Sequence, residues 1–430
     1  MSKNMLNELP ELLRAGVITP DTSDKIEQYY RQKERSHPDG RINIVFAIIG
    51  TVLVSLGIIL IVAHNWDELS HPVKLFFAFM PVVIGQILCG YVLYKKTGST
   101  SWRESSAAFL FFAAGACLSL VSQLYHISGT IEELIFTWML LGFPLIYIMR
   151  SSMASLLFMC GITVYGCYDG YGYQSKETYH YWWMLLLVLP HYYQLIKHRA
   201  LSNFSYFHHW FIPISMSICL GTIASHSEEL MFIAYMSMFG AFYLLGTSAF
   251  FYRKRIFGNG YIVLGSLGTI TLLLVTSFRF FWEDMLDYRE QSISFMSPEM
   301  IAVAIFFALA TMLLIDHLRT RGEKPVNFMG FVYLAFAGIF FIGLNNPITA
   351  TILVNLLVLG VAIFIIARGN YLNHLGILNY GLLVITALVI CRFFDTNISF
   401  VLRGLMFIGV GAGFFIANNR LIQKRKQHEK

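Results

Sequence analysis

Apolar and polar residues alternate along this chain in long blocks. About fourteen mostly apolar stretches, many near the roughly 20 residues that an α-helix needs to cross the hydrocarbon, are separated by short polar turns. They cover 43–63, 73–94, 106–125, 134–149, 154–168, 181–196 and 210–224. They continue through 231–252, 261–281, 299–316, 326–344, 348–366, 375–394 and 402–418. In lipid, backbone amides and carbonyls must be satisfied within the protein, which leaves the helix as the economical spanning element. The pattern predicts an all-α, polytopic integral membrane protein with about 14 transmembrane helices. It divides into 1–42, an amphipathic helical hairpin; 43–149, the first four spans; 150–418, the remaining ten; and 419–430, a basic tail.

Charge gives the pattern a direction. If both termini are cytoplasmic, 25 of the 31 Lys and Arg fall in segments on that side, and only Lys74, Lys176, Arg279, Arg289, Arg392 and Arg403 fall outside. This is a strong positive-inside bias, and an odd number of spans would scramble it. The first span starts at residue 43 with no Ala-x-Ala-type site after it, so no cleaved signal peptide is expected. Composition agrees: 56% hydrophobic, 13% charged and a mean hydropathy of +0.60. The net charge of +6 is spread over many turns and forms no single patch, which argues against nucleic acid. The six cysteines, Cys89, Cys117, Cys160, Cys167, Cys219 and Cys391, form no Cys-x-x-Cys pair and read as packing residues.

Residues 1–42 carry seven basic and seven acidic side chains. Leu6, Leu9, Leu12 and Leu13 recur at helical spacing, and Gly16 supplies a stop. Thr19 before Pro20 and Asp21 is a good helix start. The two helices could dock a cytosolic partner; the plainer reading is a hairpin packed on itself or on the membrane face.

The run Arg14-Ala-Gly-Val-Ile-Thr-Pro20, with Ile26 and Tyr29-Tyr30, precedes a glycine-bearing first span and Ala63-His-Asn-Trp-Asp67. Trp102-Arg-Glu104, Gln123-Leu-Tyr-His-Ile-Ser-Gly129 and Trp138 follow. Together these resemble a bacterial integral membrane family of unknown function, the one designated DUF2157, over roughly the first third of the chain. Arg392-Phe-Phe-Asp395 with Arg403-Gly404 also resembles the ending of such proteins. The resemblance implies the bacterial cytoplasmic (inner) membrane and supplies no activity. An internal repeat is a further expectation. Gly258-Asn259, Tyr261, Leu264-Gly265 and Arg279-Phe-Phe281 echo Gly369-Asn370, Tyr371, Leu375-Gly376 and Arg392-Phe-Phe394, four spans later and so in the same orientation.

Candidate chemistry is sparse. Arg279, Arg392 and Arg403 violate the charge bias at outer span ends, and guanidinium suits phosphate or carboxylate, so they are candidates for an anion site. The plain alternative is pairing with Glu283, Asp284, Asp287 or Asp395, or with lipid headgroups. In the first outer loop Asp67 or Glu68 could act as a general base, and His64, His71 and His126 are weak metal candidates; anchoring and capping would account for the same residues. Gln86, Ser119, Gln123, Asn355 and Asn379 could line a pathway or simply bond spans together. The aromatic run from Tyr165 to Trp183 reads as an interfacial belt. No Asp, Glu, Lys or Arg sits near the middle of a span, no phosphate-binding glycine loop is present, and no cofactor is expected. Three functions compete: a carrier or flippase-like protein for an anionic small molecule or lipid-linked group; a membrane-embedded transferase with Asp67 as base; and a scaffold or envelope-stress component working through the hairpin.

Overall fold

The computed structural model describes residues 12–13, 15–36, 69–171, 179–225, 227–248, 251, 258–287, 297–320, 328–393, 399–401 and parts of 404–415. The expected span 43–63 and much of 402–418 lie outside these residues, as do 1–11 of the amphipathic hairpin. The chain divides into two compact units, Met1–Phe77 and Ala78–Lys430.

In the first unit, Leu12 and Leu13 end a helical turn that Gly16 closes at φ +67°, with Gly16 N donating to Leu13 O and Val17 N to Leu12 O. The left-handed backbone explains glycine there. Helix α1, Pro20–Ser36, follows. Thr19 Oγ1 accepts from Thr22 N, Pro20 supplies a preset first residue, and Lys25 pairs with Asp21 at 2.6 Å.

The apolar blocks become helices almost one for one. They are α2 His71–Lys95, α3 Thr100–Leu124, α4 Ile131–Ile148, α5 Ser152–Tyr171, α6 His180–Arg199, α7 Asn203–Cys219 and α8 Leu230–Gly246. Then come α9 Gly260–Val275, α10 Arg279–Asp287, α11 Pro298–Thr320, α12 Val332–Gly343, α13 Pro347–Tyr371 and α14 Leu375–Phe393. Among the described residues the protein is all-α. Six helices (α2, α3, α4, α11, α13 and α14) are long and apolar enough to cross a membrane, seven if the bent pair α9–α10 counts as one span. Two of the fourteen expected spans, 43–63 and most of 402–418, lie outside the described residues; the rest of the difference has physical causes. α8 and the helical stretch 328–343 are apolar but short, and α5 to α7 are diluted by Ser, His and Tyr. The block 261–281 is also two helices, bent by 79°.

Two centres organise the second unit. α5 packs against α3, α4, α6 and α7, and α8 packs against α9, α11 and α12. α7 meets α9, and the α13–α14 hairpin joins through α12, α10 and α9. Because lipid is as apolar as the helices, close packing and interhelical hydrogen bonds must hold them together. Two hairpins show how. In α8–α9, a Cβ on Gly246 would lie 2.5 Å from Ile262 N, and one on Gly265 would lie 2.5 Å from Tyr243 N and 2.8 Å from Phe239 O. In α13–α14, a Cβ on Gly369 would lie 2.5 Å from Leu378 N, and one on Gly381 would lie 2.9 Å from Ile366 N and 3.0 Å from Ala362 O. Each pair therefore brings backbone against backbone at two reciprocal glycines.

The motifs that suggested a repeat do not occupy matching places. Asn259 precedes α9 and caps it, accepting from Ile262 N and donating to Gly246 O. Asn370 lies in the last turn of α13. Equivalence lies instead in the glycine contacts, where each α8 position has an α13 counterpart 123 residues on, and each α9 position an α14 counterpart 116 residues on.

Candidate functional site

The broken helix brings together residues from three helices. α9 stops at Val275, and Thr276, Ser277 and Phe278 make the bend before α10. A helix end leaves carbonyls without partners, which in a membrane must be answered locally. Here the Thr276 hydroxyl bonds Leu272 O, the Ser277 hydroxyl bonds Leu274 O, and the buried indole of Trp282 donates to Thr276 O at 2.7 Å. Asn355 of α13 donates to Ser277 O at 2.9 Å. Arg392 of α14, buried to 7% exposure, donates to the Ser277 hydroxyl at 3.0 Å and lies 4.5 Å above the Phe278 ring. A cation at the C-terminal end of a helix also meets the negative end of its dipole.

Other candidates are placed differently. Arg279 is exposed at the start of α10 and pairs with Glu283 at 2.7 Å. Arg403, Asp67, Glu68 and His64 lie outside the described residues. His71 is exposed at the start of α2, and His126 is exposed in the turn after α3 at φ +51°. Glu133, near His126 in sequence, is committed to a capping box with Thr130 at the start of α4. Among the described residues no three His, Cys, Asp or Glu side chains gather as a metal would need. Gln86, Gln123 and Asn379 are exposed on their helices, and Ser119 is half-buried. The aromatic run serves structure: Tyr181 bonds Ser215 at 2.7 Å, and Tyr171 donates to Ile218 O at 2.8 Å.

A second polar region lies at the opposite end of the bundle, where α3, α5 and α7 begin and α6 ends. Glu104, near the start of α3, is 7% exposed. Its Oε2 accepts from the Ser151 hydroxyl at 2.5 Å and from Met153 N at 2.8 Å, tying α3 to the start of α5. Next along α5, Ser152 bonds His191 Nε2 at 3.3 Å and Ser155 bonds His208 Nε2 at 2.9 Å. His208 Nδ1 reaches Phe204 O at 2.7 Å, so Nδ1 carries the proton and Nε2 accepts from Ser155. The Tyr192 ring stacks on His208 at 5.9 Å, and its hydroxyl bonds His209 Nδ1 at 2.6 Å. Glu299, fully buried at the start of α11, separately gathers Ser225 N, Ser227 N and the Ser225 hydroxyl. Sequence reasoning singled out none of these three histidines. Their partners lie 39 or 53 residues away or on a tyrosine of another helix, and a search for full charges near span centres passes over neutral imidazole.

Long apolar helices joined by short turns, with polar groups bonded inward between them, define a multi-span α-helical membrane protein. Over residues 10–155 the chain matches the family model described as predicted membrane protein (DUF2157), which takes in α1 to α4 and the start of α5. Comparison with curated proteins finds no match, and comparison with solved structures finds none. The matched stretch includes Glu104, Ser151, Ser152 and Ser155; the break at Ser277 lies beyond it.

Proposed function

We propose that the protein is a carrier of the bacterial cytoplasmic membrane that handles an anionic small molecule or a lipid-linked anionic group. In this reading the chain has fourteen spans with both ends in the cytoplasm, and the end bearing Glu104 faces the cytosol. The observation that carries the proposal is the break between α9 and α10, bent by 79°, on which Asn355 and Arg392 converge from two other helices. Interrupted helices whose freed backbone and end dipoles face a shared site are the usual construction of secondary carriers. The paired glycine contacts add support. We read α8–α9 and α13–α14 as copies of one hairpin, offset by four spans. α9 and α14 run in the same direction, since Ser266 bonds Tyr380 at 2.9 Å near their starts and Ser277 bonds Arg392 at their ends.

Full-length protein in liposomes should move inorganic phosphate, a dicarboxylate or a fluorescent anionic phospholipid faster than protein-free vesicles. Arg392→Ala should reduce that flux at least tenfold while the protein stays monodisperse. Equal flux by wild type, Arg392→Ala and empty vesicles for every one of these anions would overturn the reading.

A further inference from the structure

α5 and α7 run in the same direction and meet rung by rung. The Ser155 hydroxyl bonds His208 Nε2 at 2.9 Å, 53 residues on, and two turns later the Thr163 and Ser215 hydroxyls bond each other at 2.6 Å, 52 residues apart. The Tyr181 hydroxyl of α6 also bonds Ser215, at 2.7 Å, and so fixes the register from a third helix. One turn further along both helices, the same offset sets Cys167 opposite Cys219.

Three contacts put the Cys219 sulfur on the Cys167 turn of α5. Cys219 Sγ lies 3.7 Å from Thr163 O, the carbonyl one turn before Cys167 and on the side toward which a helical side chain tilts. A Cβ on Gly166 would lie 3.1 Å from the same sulfur, so the glycine beside Cys167 leaves room for the approach. The two thiols also share a hydrogen bond. Cys219 is fully buried at the end of α7, whereas Cys167 is partly exposed one turn before the end of α5. One sulfur of the pair is therefore open to a reagent, and the other stands behind it.

We propose that Cys167 and Cys219 form a redox-active dithiol that a quinone dissolved in the bilayer oxidises to a disulfide, tying the end of α5 to the end of α7. In the fourteen-span reading Cys167 lies near the end of a span, so the oxidant that meets it comes through lipid. Cys167 Sγ adds to a ring carbon of the quinone, and its proton passes to a quinone oxygen. Cys219 Sγ then attacks Cys167 Sγ, and the bond between Cys167 and the ring breaks. The ring leaves with the electron pair, takes up the proton from Cys219 and departs as hydroquinone. Two thiols are oxidised by two electrons, and one quinone is reduced by the same two. Packing alone needs no second sulfur here, because a small residue on either helix would fill the place of a thiol.

The dithiol does not depend on the carrier reading and is tested without flux. Full-length protein, fully reduced and held in lipid nanodiscs at mildly alkaline pH, is treated with decylubiquinone, then denatured, alkylated with N-ethylmaleimide and weighed by mass spectrometry. The untreated chain should carry six maleimides, one for each cysteine, and the treated chain four. Digestion should recover the Cys167 and Cys219 peptides joined, and a reducing agent added after the quinone should restore all six sites. Cys160, exposed on the same helix as Cys167, is the internal control and should stay alkylatable. Cys167→Ser and Cys219→Ser chains should each keep their five remaining sites through the treatment. The decisive count is made on the wild-type protein, so a variant that fails to fold does not blunt the test. A treated wild-type chain that still carries six maleimides would overturn the proposal. So would loss of Cys160 alongside the pair, or a link that joins two chains instead of two helices of one.

Discussion

At the scale of single residues, the reciprocal glycines leave no room for a side chain. Gly381 lies where a Cβ would meet Ile366 N at 2.9 Å and Ala362 O at 3.0 Å, backbone atoms that cannot rotate away. Gly381→Leu must therefore push α14 off α13, and overpacking of this kind costs typically about 1–3 kcal/mol. Gly360, on the same helix pair, has open space around its absent Cβ, so Gly360→Leu is the matched control. Thermal unfolding in detergent should show a clearly lowered midpoint for Gly381→Leu and a near-wild-type midpoint for Gly360→Leu. Comparable midpoints would remove the glycine contacts as the basis of hairpin packing. Single residues were also where the sequence misled. Gly258 and Gly369 looked equivalent because each precedes Asn, yet the glycine that matches Gly369 by contact is Gly246, at the end of the preceding helix.

At the scale of elements, blocks of apolar residues made the helices legible, because lipid imposes a length and a hydropathy that few other constraints mimic. The bend was not legible. Thr276, Ser277 and Phe278 include neither Gly nor Pro, and nothing in the mostly apolar block 261–281 marks them as a break. What breaks the helix is tertiary: Trp282 fills the space above Gly343, and Asn355 and Arg392 meet the freed groups. The same blindness hid the Glu104 and His191 cluster, whose members come from α3, α5, α6 and α7. If Asn355 stabilises the bend, Asn355→Leu leaves Ser277 O without its donor in an apolar setting. Deuterium uptake measured over 270–287 should then rise, while α3 to α5 stay as protected as in wild type. Uniform uptake across both regions, or none, would show that the side chain is incidental to the break.

At the scale of the whole molecule, orientation decides what both polar regions can meet. Lys95, Lys96, Arg103, Arg150, Lys197, Arg199, Arg319 and Arg368 all belong to the ends of helices or turns at the end of the bundle that holds Glu104. Turns rich in Lys and Arg stay in the cytoplasm. The Ser277 break lies at the other end, so in this orientation Glu104 would face the cytosol and Arg392 the outer side. Two substitutions separate this arrangement from its inverse: Thr97→Cys in the α2–α3 turn and Ser128→Cys in the α3–α4 turn. In intact cells an impermeant maleimide should label Ser128→Cys above the wild-type background, and should reach Thr97→Cys only after permeabilisation. The opposite labelling would invert the protein, placing the Glu104 region outside and the arginine-capped break inside. An anion carried past Arg392 would then be captured from the cytosol.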